Sequence, residues 1–280
     1  MAAPLSVLIT TFNQEVNITP CLESVVGWAK EVWVLDSFST DRTVELIQRY
    51  PVQFKQRIFD GFALNKNWAL EHLPWAHEWV LILDADESVP QALKKEIEAA
   101  LMPSGNGFDG FYLNRRVYFL GRWLRHCGWY PNWNLRLFRH RLGRYENRAV
   151  HEHLILRGKA GYLKNDLIHD DRRGLVEWIA RHNHFSSLEA KERLAALHRT
   201  KETGFRGSLF GGPIERRRFL KERVFFKLPA KPLFCFLYMY VVRSGFLDGA
   251  AGLRFCLLHG IQEYHVSLKL GELERNKGHE

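Results

Sequence analysis

The chain has 280 residues, 46% of them hydrophobic and 25% charged, an ordinary globular composition that can bury a sizeable core and holds no repeat or low-complexity tract. Its net charge of +9 is uneven: residues 1–110 carry 8 Lys/Arg against 15 Asp/Glu, a net of −7, and residues 111–280 carry 32 against 16, a net of +16. The basic half points to an anionic partner, whether nucleic acid, an anionic membrane or a phosphorylated substrate. Cys21, Cys127, Cys235 and Cys256 are widely spaced with no CxxC pair. That excludes a zinc framework or disulfide scaffold and fits a reducing cytosol.

In chain order, Leu5-Ser6-Val7-Leu8-Ile9-Thr10 is expected to form a buried strand, starting too near the N-terminus to leave room for a signal peptide. It passes into Thr10-Thr11-Phe12-Asn13, turn chemistry at a strand's C-terminal end. Ile18, Leu22, Val25 and Val26 fall at helical spacing and predict a helix over 17–28. Val32-Trp33-Val34-Leu35-Asp36 is a second strand ending in an acid, and Ser39-Thr40-Asp41-Arg42-Thr43 supplies an N-cap for a helix over 44–50. A short strand over 52–55 and a helix over 61–70, which carries Lys66, lead to Trp79-Val80-Leu81-Ile82-Leu83, an apolar run that meets Asp84-Ala85-Asp86-Glu87. A helix from Pro90 to Leu101 follows.

Strands alternating with helices predict a parallel, doubly wound sheet, with Thr10–Asn13, Asp36 and Asp84–Asp86 converging at one edge. Ligands bind at that edge in open α/β sheets, so a nucleotide site is the expectation. No GxGxxG follows the first strand and no Walker A motif is present, which argues against dehydrogenase and P-loop readings. Asp84 and Asp86, two apart on extended backbone, would point the same way and give a hard oxygen site for Mg²⁺ or Mn²⁺ bridging to phosphate. The alternative is a strand end in which aspartate serves as turn former and cap, since Ser88-Val89-Pro90 opens the next helix.

After Gly110 the pattern changes. Strands are expected over 111–119, 135–139 and 150–156 without long helices between them, hence mixed or antiparallel. They enclose an aromatic, basic loop, in which Trp129, Tyr130 and Trp133 could stack on a sugar or pack together. Arg136 and Arg139 are read as lying on one strand face, able to hold phosphates or acidic groups. Helix formers dominate 175–203, and 204–231 holds eight Lys/Arg against two acids. The apolar run Pro232–Val242 has eleven residues, short of the roughly 20 a span needs. A helix pair lying on a membrane surface and a soluble cap both fit the segment from there to Ile261.

Three blocks now stand in order: Ser6-Val7-Leu8-Ile9-Thr10-Thr11-Phe12-Asn13-Gln14-Glu15, Val34-Leu35-Asp36-Ser37-Phe38-Ser39-Thr40-Asp41-Arg42-Thr43 and Leu83-Asp84-Ala85-Asp86-Glu87. Together they resemble the inverting GT-A glycosyltransferases of family 2. Gly121-Arg122-Trp123, Gly128-Trp129-Tyr130-Pro131 and Val150-His151-Glu152 narrow the likeness to bacterial lipopolysaccharide core β-1,4-glucosyltransferases. The resemblance covers about residues 4–175 and implies a Rossmann-like, mostly parallel α/β sheet with an antiparallel acceptor-side extension. Residues 1–110 would be the nucleotide-sugar half and 111–175 the acceptor half of one domain, followed by a helical, basic region over 176–280. It further implies a UDP-sugar donor and a divalent cation, with Thr10, Thr11, Phe12, Asn13, Glu15, Asp36, Lys66, Asp84, Ala85 and Asp86 around the nucleotide sugar. Asp84 and Asp86 stand at the family's metal-binding DxD, and Ser37 replaces a frequent second aspartate. A glycolipid acceptor on the inner face of the cytoplasmic membrane is implied as well.

An inverting transfer needs a base on the acceptor side, and Glu152 is the candidate; its other role would be a salt-bridge partner for nearby arginines. His151, His153 and His169 are too irregularly spaced for a zinc site, but His169, after Leu167-Ile168, could join the metal or the diphosphate. A nucleotidyltransferase would need a Gly-rich triphosphate loop after the first strand, and an RNA-binding protein would leave Asp36, Asp84 and Asp86 without a role. The sequence therefore predicts a transferase without a nucleic-acid partner.

Overall fold

A computed structural model of the chain describes residues 2–102, 107–146, 153–198 and 230–277. They fall into two compact units, Met1–Arg125 with Trp129–Trp178, and His126–Gly128 with Ile179–Glu280.

The first unit is built on β1 (Ala3–Thr11), β2 (Ala29–Asp36), β3 (Gln53–Gln56), β4 (Trp79–Asp84), β5 (Glu87–Ser88), β6 (Gly110–Phe119), β7 (Arg122–Trp123) and β8 (Trp133–Arg139). After the β9 (Gly143–Tyr145) and β10 (Leu154–Leu156) hairpin comes β11 (Ala160–Asp170). Among the described residues the main sheet runs β3-β2-β1-β4-β8-β6-β11-β5, with β7 on β6. The first four strands of that order pair in parallel. Strand β8 is antiparallel to both β4 and β6, and β11 returns parallel to β6. This is the mixed second half the sequence predicts, with one addition. Only the end of strand β11, at Leu167-Ile168 before His169, is legible in the sequence, because Lys164-Asn165-Asp166 interrupts its apolar alternation, where its register against β6 shifts.

Alternate residues of the two central strands enter different cores. Leu5, Val7 and Ile9 of β1 with Leu81 and Leu83 of β4 join one cluster, which α1 (Ile18–Val25) covers with Ile18, Cys21, Leu22 and Val25. Leu8, Val80 and Ile82 face the other, which α3 (Phe62–His72) covers with Ala63, Ala69 and Leu70. Helices on both faces therefore explain why these strands read as unbroken apolar runs. Each fully buried Leu, Ile or Val contributes about 1.5–3 kcal/mol, so the two clusters hold the central strand ends in place. Helix α2 (Thr43–Ile47) starts after Arg42, whose side chain makes no cap bond; Asp41 Oδ1 accepts from the Thr43 N–H at 3.0 Å, while Asp41 Oδ2 and Ser39 Oγ accept from the loop after β1. Helix α4 (Gln91–Ala100) starts after Pro90, as expected for a proline at a helix entry.

The second unit contains α5 (Gly174–His198) from Ile179 onward. A short helix, Lys231–Leu237, runs into a π-helical turn, Tyr238–Val242, then a 3₁₀ turn, Gly245–Asp248, and the long helix Gly249–Lys277. Arg193 of α5 donates two hydrogen bonds, of 2.6 and 2.9 Å, to buried Glu263 of the long helix. Two glycines set the bend: a Cβ on Gly252 would lie 2.1 Å from the Gly245 carbonyl oxygen, so only glycine allows the chain to fold so tightly there. The basic residues of 204–229 lie outside the described residues.

Candidate active site

The sheet register brings the predicted strand ends together. Thr10 pairs with both Leu35 and Asp84, and Thr11 pairs with Asp36. Around this row the side chains form a charged cluster. Arg136 of β8, almost fully buried, donates to Asp84 Oδ2 at 2.6 Å and to Glu87 Oε1 at 3.2 Å. Lys66 of α3 lies 3.4 Å from Asp84 Oδ1, with Nζ 5.2 Å from the centre of the Tyr145 ring. Glu87 is wholly buried, accepts from the Asp84 backbone N–H at 2.9 Å, and also meets Arg115 at 3.3 Å. Burial alone would raise the Asp84 carboxyl, but the charges of Arg136, Lys66 and Arg115 outweigh it and hold Asp84 well below the usual carboxylate range. Burial lowers and the two acids raise Arg136, which stays protonated.

Asp86 has different neighbours. Strand β4 ends at Asp84, and the chain turns through Ala85 so that Asp86 meets β11. Its carbonyl accepts from Asp170 N–H at 2.9 Å, and its Oδ2 lies 3.5 Å from His169 Nε2. The expectation that Asp84 and Asp86 share one direction is therefore corrected: the turn after Asp84 ends the extended backbone that would align them. Asp84 is neutralised by two cations, whereas Asp86 Oδ1 is buried without a hydrogen-bond partner. Thr11 Oγ1, Arg136 Nη1 and His169 Nδ1 share that condition. Buried polar groups ordinarily find partners, so four unsatisfied atoms at or beside one sheet edge mark a surface suited to a polar ligand. Among the described residues no three His, Cys, Asp or Glu side chains form a ready metal cage. A divalent cation here would draw on Asp86 Oδ1 and on ligand oxygens, and a hard carboxylate with an uncommitted buried oxygen fits it.

The loops after β1 and β2 are stitched together. Asn13 N–H donates to Ser39 Oγ at 2.9 Å, Thr40 N–H to Asn13 Oδ1 at 2.8 Å, and Arg42 N–H to Glu15 Oε2 at 3.1 Å. Asp36 is fully buried, and its carboxylate accepts from Ser39 N–H and from Gln56 Nε2 as well as from the Ser39 hydroxyl. Phe12 and Phe38 remain about half exposed above this floor. Phe38 was missed in the sequence, though Ser37-Phe38-Ser39 repeats the small-aromatic-small pattern of Thr11-Phe12-Asn13.

Other predicted residues lie elsewhere. Arg139 pairs in register with Trp79, at the opposite end of β4 from Asp84, and is taken up by Glu78 and by Asp109 at 3.6 Å. It stands apart from the candidate site, and the one-face expectation is corrected: three positions along strand β8 is an odd spacing, which puts Arg139 on the opposite face from Arg136. Tyr130 donates to Asp166 Oδ2 at 3.1 Å, beside Arg116 at 2.6 Å, and packs edge-on against Trp123, so it belongs to an ordered aromatic and polar cluster. Trp129 is half-buried in the same loop. Glu152 lies outside the described residues, as does His151.

A sequence model described as Glycosyl transferase family 2 matches residues 6–161, more than half the chain, and takes in the strand ends Thr10–Asn13, Asp36 and Asp84–Asp86. The chain belongs to that family. Among its relatives, the lipopolysaccharide core biosynthesis glycosyltransferase LpsC of Rhizobium meliloti is 29% identical over 275 residues, covering 93% of this chain and 92% of LpsC. An uncharacterized glycosyltransferase of Rickettsia typhi is 34% identical over 94 residues, 34% of this chain and 32% of that relative. The mannosyltransferase PcManGT from Pyrobaculum calidifontis, solved with GDP-Man and Mn²⁺, superposes with a TM-score of 0.53 at 17% identity, over 96% of this chain and 87% of that one. The fold of this family 2 chain is GT-A.

Proposed function

We propose that the chain transfers a hexose, glucose, from UDP-glucose to a sugar of the lipopolysaccharide core or a related envelope glycolipid, with inversion, as a peripheral protein on the inner face of the cytoplasmic membrane. The observation that carries the reading is the convergence of Thr10–Asn13, Asp36, Lys66, Asp84 and Asp86 at one sheet edge of a family 2 chain, with buried atoms there still seeking partners. Similarity to LpsC over nearly all of both chains supports the envelope acceptor.

In this reading Phe12 and Phe38 flank the base, Asp36 accepts from the uracil N3–H, and Lys66 faces the diphosphate. Asp86, assisted by His169, would hold Mg²⁺ or Mn²⁺, which supplies positive charge to offset the leaving diphosphate. Arg136 keeps Asp84 ionised and fixed, a positioning role. Glu152 takes the proton of the acceptor hydroxyl as its oxygen bonds to the anomeric carbon, while the bond from that carbon to the diphosphate oxygen breaks and UDP departs with the electron pair. Trp129 and Tyr130 stand on the acceptor side.

The test is a screen of UDP- and GDP-sugars for Mn²⁺-dependent hydrolysis and thermal stabilisation. UDP-glucose is expected to give the largest response, and a response confined to GDP-mannose would overturn the uridine assignment. Glu152→Gln is expected to keep the affinity for UDP while losing about 10²–10⁴-fold in transfer, the range for a lost general base. Transfer near the parent rate in that variant would remove Glu152 from the mechanism.

A further inference from the structure

The second unit exposes apolar surface that a water-soluble cap would bury. Leu233, Leu237, Tyr238, Val241, Val242 and Leu247 are each more than two-fifths exposed, and all lie on the short stretch before the long helix. On the long helix, Leu253, Leu257, Ile261, Tyr264 and Leu268 are between 37% and 53% exposed. Their spacing of four, four, three and four residues places them on one stripe along about 22 Å of helix. The same helix turns Phe255, Cys256, Glu263 and Val266 inward, where Glu263 meets Arg193. Lys269 Nζ is held by Asn183 and Ser186 of α5 at 2.7 and 2.8 Å. The helix is therefore packed on one side and carries a second apolar face outward. Contiguous exposed apolar surface of this kind marks an interaction site.

We infer that this surface binds an anionic lipid bilayer, lying in the interface plane without crossing it. Three observations select that partner. The two arms, Lys231–Val242 and Gly245–Asn276, are joined at a bend of 74° and both expose apolar side chains, so a bilayer surface is broad enough to take both. A second copy pairing along the long helix would cover only one arm. Charge agrees: Lys231 and Arg243 bound the first arm, and the adjoining sequence 204–231 holds eight Lys/Arg against two acids, which suits anionic headgroups. Among the described residues no single helix provides a span, and the pair that together has the length and composition for one is bent by 74° at its break. The eleven residues of Pro232–Val242 reach about 16 Å of a roughly 30 Å hydrocarbon core. The long arm carries Asp248, Arg254, Glu263, Lys269, Glu272, Glu274 and Arg275; Glu263 and Lys269 are bonded to α5, and the last three lie in its final two turns, beyond the apolar stripe. The bend is held by the close approach at Gly252, so the surface is formed before lipid arrives.

The inference rests on the membrane acceptor proposed above only for its setting, since lipid binding is read without any transfer. The full chain is floated with vesicles of phosphatidylcholine alone and with a quarter phosphatidylglycerol, at low and high salt. It is expected to float with the anionic vesicles and to lose several-fold in partitioning as the salt is raised, because surface charge is screened. Leu237→Glu/Val241→Glu and Leu257→Glu/Ile261→Glu, all at exposed positions, are each expected to reduce partitioning by about tenfold or more with circular dichroism and UDP-glucose hydrolysis unchanged. Absence from the anionic vesicle fraction, or unaltered flotation of both folded variants, would overturn the inference. So would concentration-dependent dimerisation abolished by the same variants in a chain indifferent to lipid. Loss of vesicle binding beside intact hydrolysis leaves the transferase reading standing, and the converse separates them equally.

Discussion

Asp86→Asn is expected to reduce sugar transfer by at least about 10²–10³-fold while leaving the fold as stable as the parent or slightly more so. The two halves of that result have one cause. Asp86 is nearly buried, one carboxylate oxygen lies 3.5 Å from His169 Nε2, and the other is buried without a partner. A buried acceptor left unsatisfied costs about 1–3 kcal/mol, and a negative charge there costs more than an amide. The folded protein therefore retains at this position a group that weakens it, as sites built for a ligand commonly do. Thermal melts with UDP, with and without Mn²⁺, check it apart from turnover: the parent is expected to gain stabilisation from the cation and the variant to gain none. Asp84→Asn should behave differently, since Asp84 already answers Arg136 and Lys66 and its loss strands both cations. If Asp86→Asn kept the cation-dependent shift and Asp84→Asn lost it, the two aspartates would exchange roles.

The family resemblance points to Asp86 as the direct metal ligand, but the spacing of the two aspartates could not draw that distinction. The chain's apolar runs, each ending in small polar or acidic residues, made the parallel half of the sheet and its ligand edge legible, because strands covered on both faces have no polar alternation to blur them. The register confirms the row of Thr10, Thr11, Asp36 and Asp84. Spacing alone, however, treats Asp84-Ala85-Asp86 as extended backbone, and the strand stops at Asp84. Which partner each carboxylate finds depends on β8 and β11, strands that lie far from it in sequence and are placed by long-range pairing. Arg136 and Arg139 illustrate the same limit. Three residues apart, they read alike in composition, yet one is buried at the site and the other is tied to Glu78 and Asp109 at the far end of the sheet. Glu87 is the reverse case: it stands in the acidic motif, yet its contacts are with the backbone of Asp84, with Arg115 and with Arg136, and these hold the turn in shape.

Arg136→Met is the substitution expected to cost most in stability. It leaves the volume roughly filled but strands Glu87, which is wholly buried, and removes the nearer of the two cations facing Asp84. Breaking a buried ion pair from one side costs about 3–5 kcal/mol, because the remaining charge is uncompensated. For a unit of this size that lowers the melting midpoint by about 10 °C. All nine tryptophans lie in the first unit, so their fluorescence during urea unfolding reports this unit without interference from the second. The pH dependence identifies the cause. In the parent, Asp84 is held well below 3.8 by Arg136 and its neighbours, so its contribution is fully present above that value and is lost as pH falls through the depressed native value. In Arg136→Met the depression weakens while burial still raises the acid, so protonation relieves the variant earlier than the parent. The stability gap between the two should therefore be widest near neutrality and should narrow as the pH is lowered toward the ordinary carboxylate range. Adding Glu87→Gln should recover part of the loss, which a double-mutant cycle would register as a coupling between the two positions. A gap independent of pH, with no recovery from Glu87→Gln, would mean that Arg136 stabilises the sheet by packing and not by charge. The site would then depend on Lys66 and Arg115 alone to keep Asp84 ionised beside the donor diphosphate.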